Sequence, residues 1–187
     1  MVTENQHPSP KHVATATQAP LHTKKGWLDK LYYQIGKQQY NFRVNGLKKD
    51  NEGNVISTKW KKFSEAVFPI DFDGTCKDWK KQRFFEDINN REILPCEVVI
   101  DLEDRLKIID VRKRLLEDGL KFYVFTTHSR GFHIHIFFKE DLDNEQKLAI
   151  IKRYDGDEQK ANQGTTIALE FSNHWKSRKR KVICIWK

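Results

Sequence analysis

In the stretch "VVIDLED", Asp101 and Glu103 stand two positions apart. On a strand that spacing sends both carboxylates to one face. Two carboxylates side by side repel, and the arrangement is costly unless a cation lies between them. Hard oxygens so placed suit magnesium or manganese. The same acids also read as an acidic strand end that caps the next helix. Asp104 can fill that role alone, which leaves Asp101 and Glu103 to be explained.

The stretch "TTHSRGFHIHIFF" (126–138) sets histidines, a serine and an arginine around one glycine. Phe132, Ile134 and Ile136 alternate with His133 and His135. The apolar set should be core, which leaves both imidazoles on the open face of a strand. Ser129, Arg130 and the backbone around Gly131 precede them in a tight turn. Successive amides, a hydroxyl and a guanidinium are what a polyphosphate needs. An imidazole at His133, with His135 one strand step farther, would complete the cradle. A solvated strand with satisfied histidines is the plainer reading of the same residues.

Glu170 is a third acid, on the polar face of "TTIALEF" opposite Ile167 and Leu169. It gains meaning only if that strand lies beside the one carrying Asp101. The basic turn "KSRKRK" follows, with Lys176, Arg178, Lys179, Arg180 and Lys181. It reads as a solvated hairpin tip, a nuclear-import signal or a patch for phosphate backbones. Its place after Glu170 favours contact with phosphate groups.

These groups need elements to hold them. "CEVVIDLED" (96–104) predicts a strand, and Asp104 caps a helix with Ile108, Val111 and Leu115 on one face. Gly119 stops that helix. "KFYVFTT" (121–127) is a nearly continuous apolar strand, as expected when both faces are covered. A helix follows around 144–153, and "TTIALEF" and "KVICIW" predict two more strands. Nearer the N-terminus, Trp27, Leu31 and Ile35 recur at helical spacing. "YNFRVN" and "VISTKWKKF" predict strands on either side of the turn "KKDNEGN". A short helix carrying Phe84, Phe85 and Ile88 completes that half. Residues 1–25 mix Pro, Thr, His and Ala without periodicity and predict a flexible tail.

Length and composition bound the class. The chain has 187 residues, 38% of them hydrophobic and 32% charged, with a net charge of +8. That is enough for a core, and the charge favours a polyanionic partner, nucleic acid before membrane. No apolar run is long enough to span a bilayer, and the N-terminus lacks the apolar core of a secretory signal. Cys76, Cys96 and Cys184 form no CxxC pair. They fit a reducing compartment, cytoplasm or nucleus, and no zinc site is expected.

A strand ending in D-h-D/E, a helix, a strand, then S-x-G-h-H-h-H resembles the archaeo-eukaryotic primase superfamily. "VVIDLED" and "HSRGFHIHIFF" match its first two motifs, and "ALEF" stands at the third. The likeness is specific over 97–138, looser over 165–187 and only topological before 90. Glu103 departs from the commoner Asp, as does Glu170 from the Asp of cellular primases, and the zinc element of those primases is absent.

The resemblance implies an α+β fold, with an RRM-like catalytic sheet (91–187) packed against an N-terminal α/β unit (26–90). It implies a primase-polymerase that makes primers or extends DNA on a single-stranded template by two-metal nucleotidyl transfer. Asp101, Glu103 and Glu170 would hold two magnesium or manganese ions. Ser129, Arg130, Gly131, His133 and His135 would bind the nucleoside triphosphate. A helicase or further replication domain is the expected additional partner.

Two other classes use similar residues. "HIH" (133–135) is the His-hydrophobic-His motif of rolling-circle replication nucleases, in which a tyrosine attacks the phosphodiester. The nearest downstream tyrosine is Tyr154, and the next lysine, Lys160, comes six residues later. A non-catalytic single-strand-binding module would stack bases on sheet aromatics. Such a module has no use for carboxylates facing a polyanion.

Overall fold

A computed structural model describes residues 26–27, 31, 43–57, 60–62, 89–127, 130–171, 174, 176 and 182–184. The tail, Ile35, the expected helix at Phe84–Ile88, Ser129 and Arg178–Lys181 lie outside them.

The central sheet is built from the most apolar stretches. Its strands are β6 (Glu97–Leu102), β7 (Phe122–Thr126), β8 (Phe132–Phe137) and β10 (Val182–Cys184). They lie in the order β10-β7-β8-β6, each antiparallel to its neighbour. Helices α1 (Ile108–Glu117) and α2 (Asn144–Arg153) cover one face. Val98, Ile100 and Leu102 of β6 meet Ile108, Val111 and Leu115 of α1 and Ile134 and Ile136 of β8 there. Each large aliphatic side chain so buried contributes about 1.5–3 kcal/mol. The helix face expected from the spacing of Ile108, Val111 and Leu115 is the buried one. Asp104 accepts from the Leu106 amide and so caps a 3-10 turn ahead of α1. Gly119, at φ +68°, ends the helix in a left-handed conformation.

A second sheet has the order β4-β1-β5-β9, formed by Lys61–Lys62, Arg43–Asn45, Asn90–Glu92 and Thr166–Ala168. Its last strand comes from late in the chain, where β9 pairs antiparallel with β5 through Asn90↔Ala168 and Arg91↔Ile167. A small hairpin, β2 (Leu47–Lys49) and β3 (Val55–Ser57), encloses the expected turn. Asp50 closes it by accepting from the Glu52 and Asn54 amides at 2.9 Å.

Two expectations need correction. His133 and His135 do alternate with the core residues, but the face they occupy is not open. They are 6% and 0% exposed. Trp27 covers that face, its ring set against Tyr123, Phe125, His135 and Phe137 at 4.7–5.7 Å. Nor is Glu170 on a strand beside β6. β9 ends at Ala168 and belongs to the second sheet, and the chain turns at Phe171, φ +60°.

Candidate active site

The first cluster forms where β6 and β8 run side by side. Their register sets Asp101 opposite His133, and the imidazole Nε2 lies 3.5 Å from Asp101 Oδ1. The pairing is cross-strand geometry, with adjacent residues on one face of an antiparallel pair. Lys160 approaches from the other side, its Nζ 3.7 Å from Asp101 Oδ2. The Asp101 side chain is 23% exposed, so water and ligands reach it.

The turn before β8 is pressed onto the end of β6. A Cβ on Gly131 would stand 1.6 Å from the Leu102 carbonyl oxygen and 3.0 Å from the Glu103 Cα. Only glycine permits that approach. Thr127 holds the turn closed, its amide and hydroxyl both donating to the Gly131 carbonyl. Arg130 and Glu103 are exposed beside this contact. Asp101, Glu103, Arg130, Gly131 and His133 thus gather at one end of the sheet.

Glu170 and His135 belong to a second, buried cluster. Arg91 of β5, 0% exposed, donates to Glu97 at 2.7 and 2.8 Å and to Glu170 at 2.8 and 3.0 Å. His135 Nδ1 lies 2.7 Å from Glu97 Oε1, and its Nε2 lies 3.3 Å from Glu170 Oε1. Both ring nitrogens face carboxylate oxygens, and Nδ1 also lies 3.3 Å from a guanidinium nitrogen of Arg91. Burial would raise the Glu97 carboxyl, but the Arg91 charge, and after it His135, outweigh that and hold it at about 2. Burial likewise opposes the Arg91 charge, yet Glu170 and Glu97 keep Arg91 above its ordinary value.

The arrangement bears on each chemical reading. Hard oxygens at the accessible Asp101–Glu103 edge fit magnesium or manganese. Glu170 has both oxygens engaged by Arg91 and His135. Among the described residues, no three His, Cys, Asp or Glu side chains are grouped to hold a metal ion. Tyr154, 1% exposed, lies in the helix-side core and donates its hydroxyl to Asp118. His133 is on the opposite face of the sheet, so Tyr154 is not placed to act with it. Trp27 occupies the sheet aromatics on which a single-strand-binding module would stack bases.

No family model and no curated protein matches this sequence. Solved structures do match in three dimensions. One is the catalytic domain of primase RepB' in complex with initiator DNA, with a TM-score of 0.51 and 11% identity over 83% of this chain and 82% of that one. Another is the polymerase domain of Mycobacterium tuberculosis Ligase D in complex with DNA, at 0.54 and 13% over 88% and 82%. The chain has the archaeo-eukaryotic primase fold. At such low identity the likeness is one of fold, and residue roles rest on the geometry above.

Within the primase fold, three residues escaped the sequence reading. Arg91 sits in an unremarkable "NNREIL" and Lys160 in a polar loop. Glu97 carried a signal, since it shares the phase of Val99 and Asp101 along β6.

Proposed function

We propose that the chain is a primase-polymerase that adds nucleotides to DNA on a single-stranded template. One observation carries the reading. Within this fold, the Asp101 carboxylate, the His133 imidazole and the Arg130–Gly131 turn meet at one end of the sheet. DNA as partner is supported by the two similar structures, both complexes with DNA, and by the net charge of +8.

Each residue then has a task. Asp101 and Glu103 supply carboxylate oxygens for divalent cations. Those ions, when bound, lower the pKa of a 3′-hydroxyl and neutralise a leaving pyrophosphate. Arg130 and His133 bind triphosphate oxygens, and the closely packed Gly131 backbone fixes their distance from Asp101. Ser129 joins them as a hydroxyl donor. Glu170 is the third acid of the motif set, and serves through its bonds to Arg91 and His135. Lys176 and the basic residues after it contact the template backbone.

The test is extension of a primed single-stranded template with labelled nucleoside triphosphates and manganese. Native protein should give extension products, and Asp101→Ala and Glu103→Ala should give none while melting as the native protein does. Full activity in either variant would end the proposal.

A further inference from the structure

Lys160 stands beside the candidate metal carboxylate, and nothing above gives it a task. Its position is built with care. Asp157 donates its amide to the Asp101 carbonyl at 3.1 Å, which ties the segment to β6. The Asp157 side chain caps the 3-10 turn Glu158–Ala161 by accepting from the Gln159 amide at 3.0 Å. Gly156 lies so close to β6 that a Cβ there would stand 2.9 Å from Ile100 Cγ2. Ala161 is buried in the core. The backbone on both sides of Lys160 is thereby anchored.

The side chain is anchored less tightly. Nζ lies 3.7 Å from Asp101 Oδ2 and donates to the Thr166 carbonyl at 3.4 Å. A tight ammonium–carboxylate bond measures about 2.7–2.9 Å. This one is loose, and the lysine has a four-carbon stem that can swing. His133 sits on the other oxygen of the same carboxylate.

We infer that Lys160 is a positioning residue that acts as an internal counter-ion for Asp101. It holds the carboxylate in the cation-free site, gives it up to the arriving cation, and turns its ammonium to the nucleotide phosphates. The inference rests on the metal-centred reading proposed above. Its consequence is that the chain binds free cation weakly and cation with nucleotide well. Loading of the two is therefore coupled, because the ammonium that leaves Asp101 finds its new partner on the triphosphate.

The test is calorimetric titration of manganese into native protein, Lys160→Met and Lys160→Arg, without nucleotide. Removing a unit charge 3.7 Å from the ligand should tighten manganese binding by about fivefold in Lys160→Met. Lys160→Arg should stay near native. With manganese saturating, Lys160→Met should bind nucleoside triphosphate about fivefold more weakly. A residue that merely braced the fold would weaken both. Native or weaker manganese binding by Lys160→Met, with its melting temperature unchanged, overturns the inference. If Lys160→Met melts early, Lys160→Gln gives the same comparison. Native protein that takes up no manganese overturns the metal-centred reading itself, and the inference with it.

Discussion

Replacing Glu170 by Ala separates a buried structural acid from an accessible metal ligand. The Glu170 side chain is 0% exposed, with two bonds to Arg91 and an oxygen 3.3 Å from His135 Nε2. Removing it leaves the buried Arg91 guanidinium with one carboxylate fewer. Breaking a buried ion pair from one side costs about 3–5 kcal/mol. In a chain of this length each kcal/mol moves the melting temperature by about 2–4 °C, so a fall on the order of 10 °C is expected. Glu170→Gln keeps an oxygen for Arg91 and should fall by less. Asp101→Ala makes the contrast, since its partners stand at 3.5 and 3.7 Å and its side chain is 23% exposed. Its change should stay within about 1 kcal/mol. Thermal and urea unfolding at pH 7, followed by circular dichroism, measure all three. A Glu170→Ala protein that melts with the native one would refute the structural assignment and return Glu170 to the metal site.

Three further outcomes follow from the geometry. Gly131→Ala forces the turn off the end of β6, since its Cβ would meet the Leu102 carbonyl oxygen at 1.6 Å; extension activity should be lost, with lowered stability on urea unfolding. Tyr154→Phe removes one hydroxyl bonded to Asp118 and should cost about 1 kcal/mol while template extension continues; a covalent protein–DNA adduct lost in this variant would point to the nuclease instead. Acid should destabilise the fold through Glu97, whose folded pKa of about 2 lies below its ordinary 4.5. That contribution is complete above pH 4.5 and disappears as pH falls toward 2, and Glu97→Gln should flatten the fall in a pH series of unfolding curves.

Local pattern carried much of this structure. The buried stripe of α1, the strands at 97–102 and 132–137 and the helix at 144–153 are all visible in periodicity and caps. The meeting of Asp101 with His133 depends on the antiparallel pairing of β6 with β8, which no local pattern states. What escaped was non-local. Nothing in "FHIHIFF" says that Trp27, more than a hundred residues earlier, covers the histidine face. Nothing in "TTIALEF" says that its strand pairs with β5 rather than β6. Alternation tells which residues share a face but not what lies against it. The pairing partner of a strand is likewise a property of the whole chain.

The pairing of β9 with β5 also shapes how the chain can be made. Arg91 and Glu170 are 79 residues apart in sequence, so the second sheet stays incomplete until the chain as far as β9 has left the ribosome. Until then β5 offers an unpaired edge, and Arg91 lacks one of its two carboxylates. Such long-range closure slows folding and leaves partly folded chains prone to pair with one another. A fragment ending before residue 165 should therefore fail to yield a stable N-terminal unit. The two sheets, and the candidate site at the end of one, would mature together in a late step.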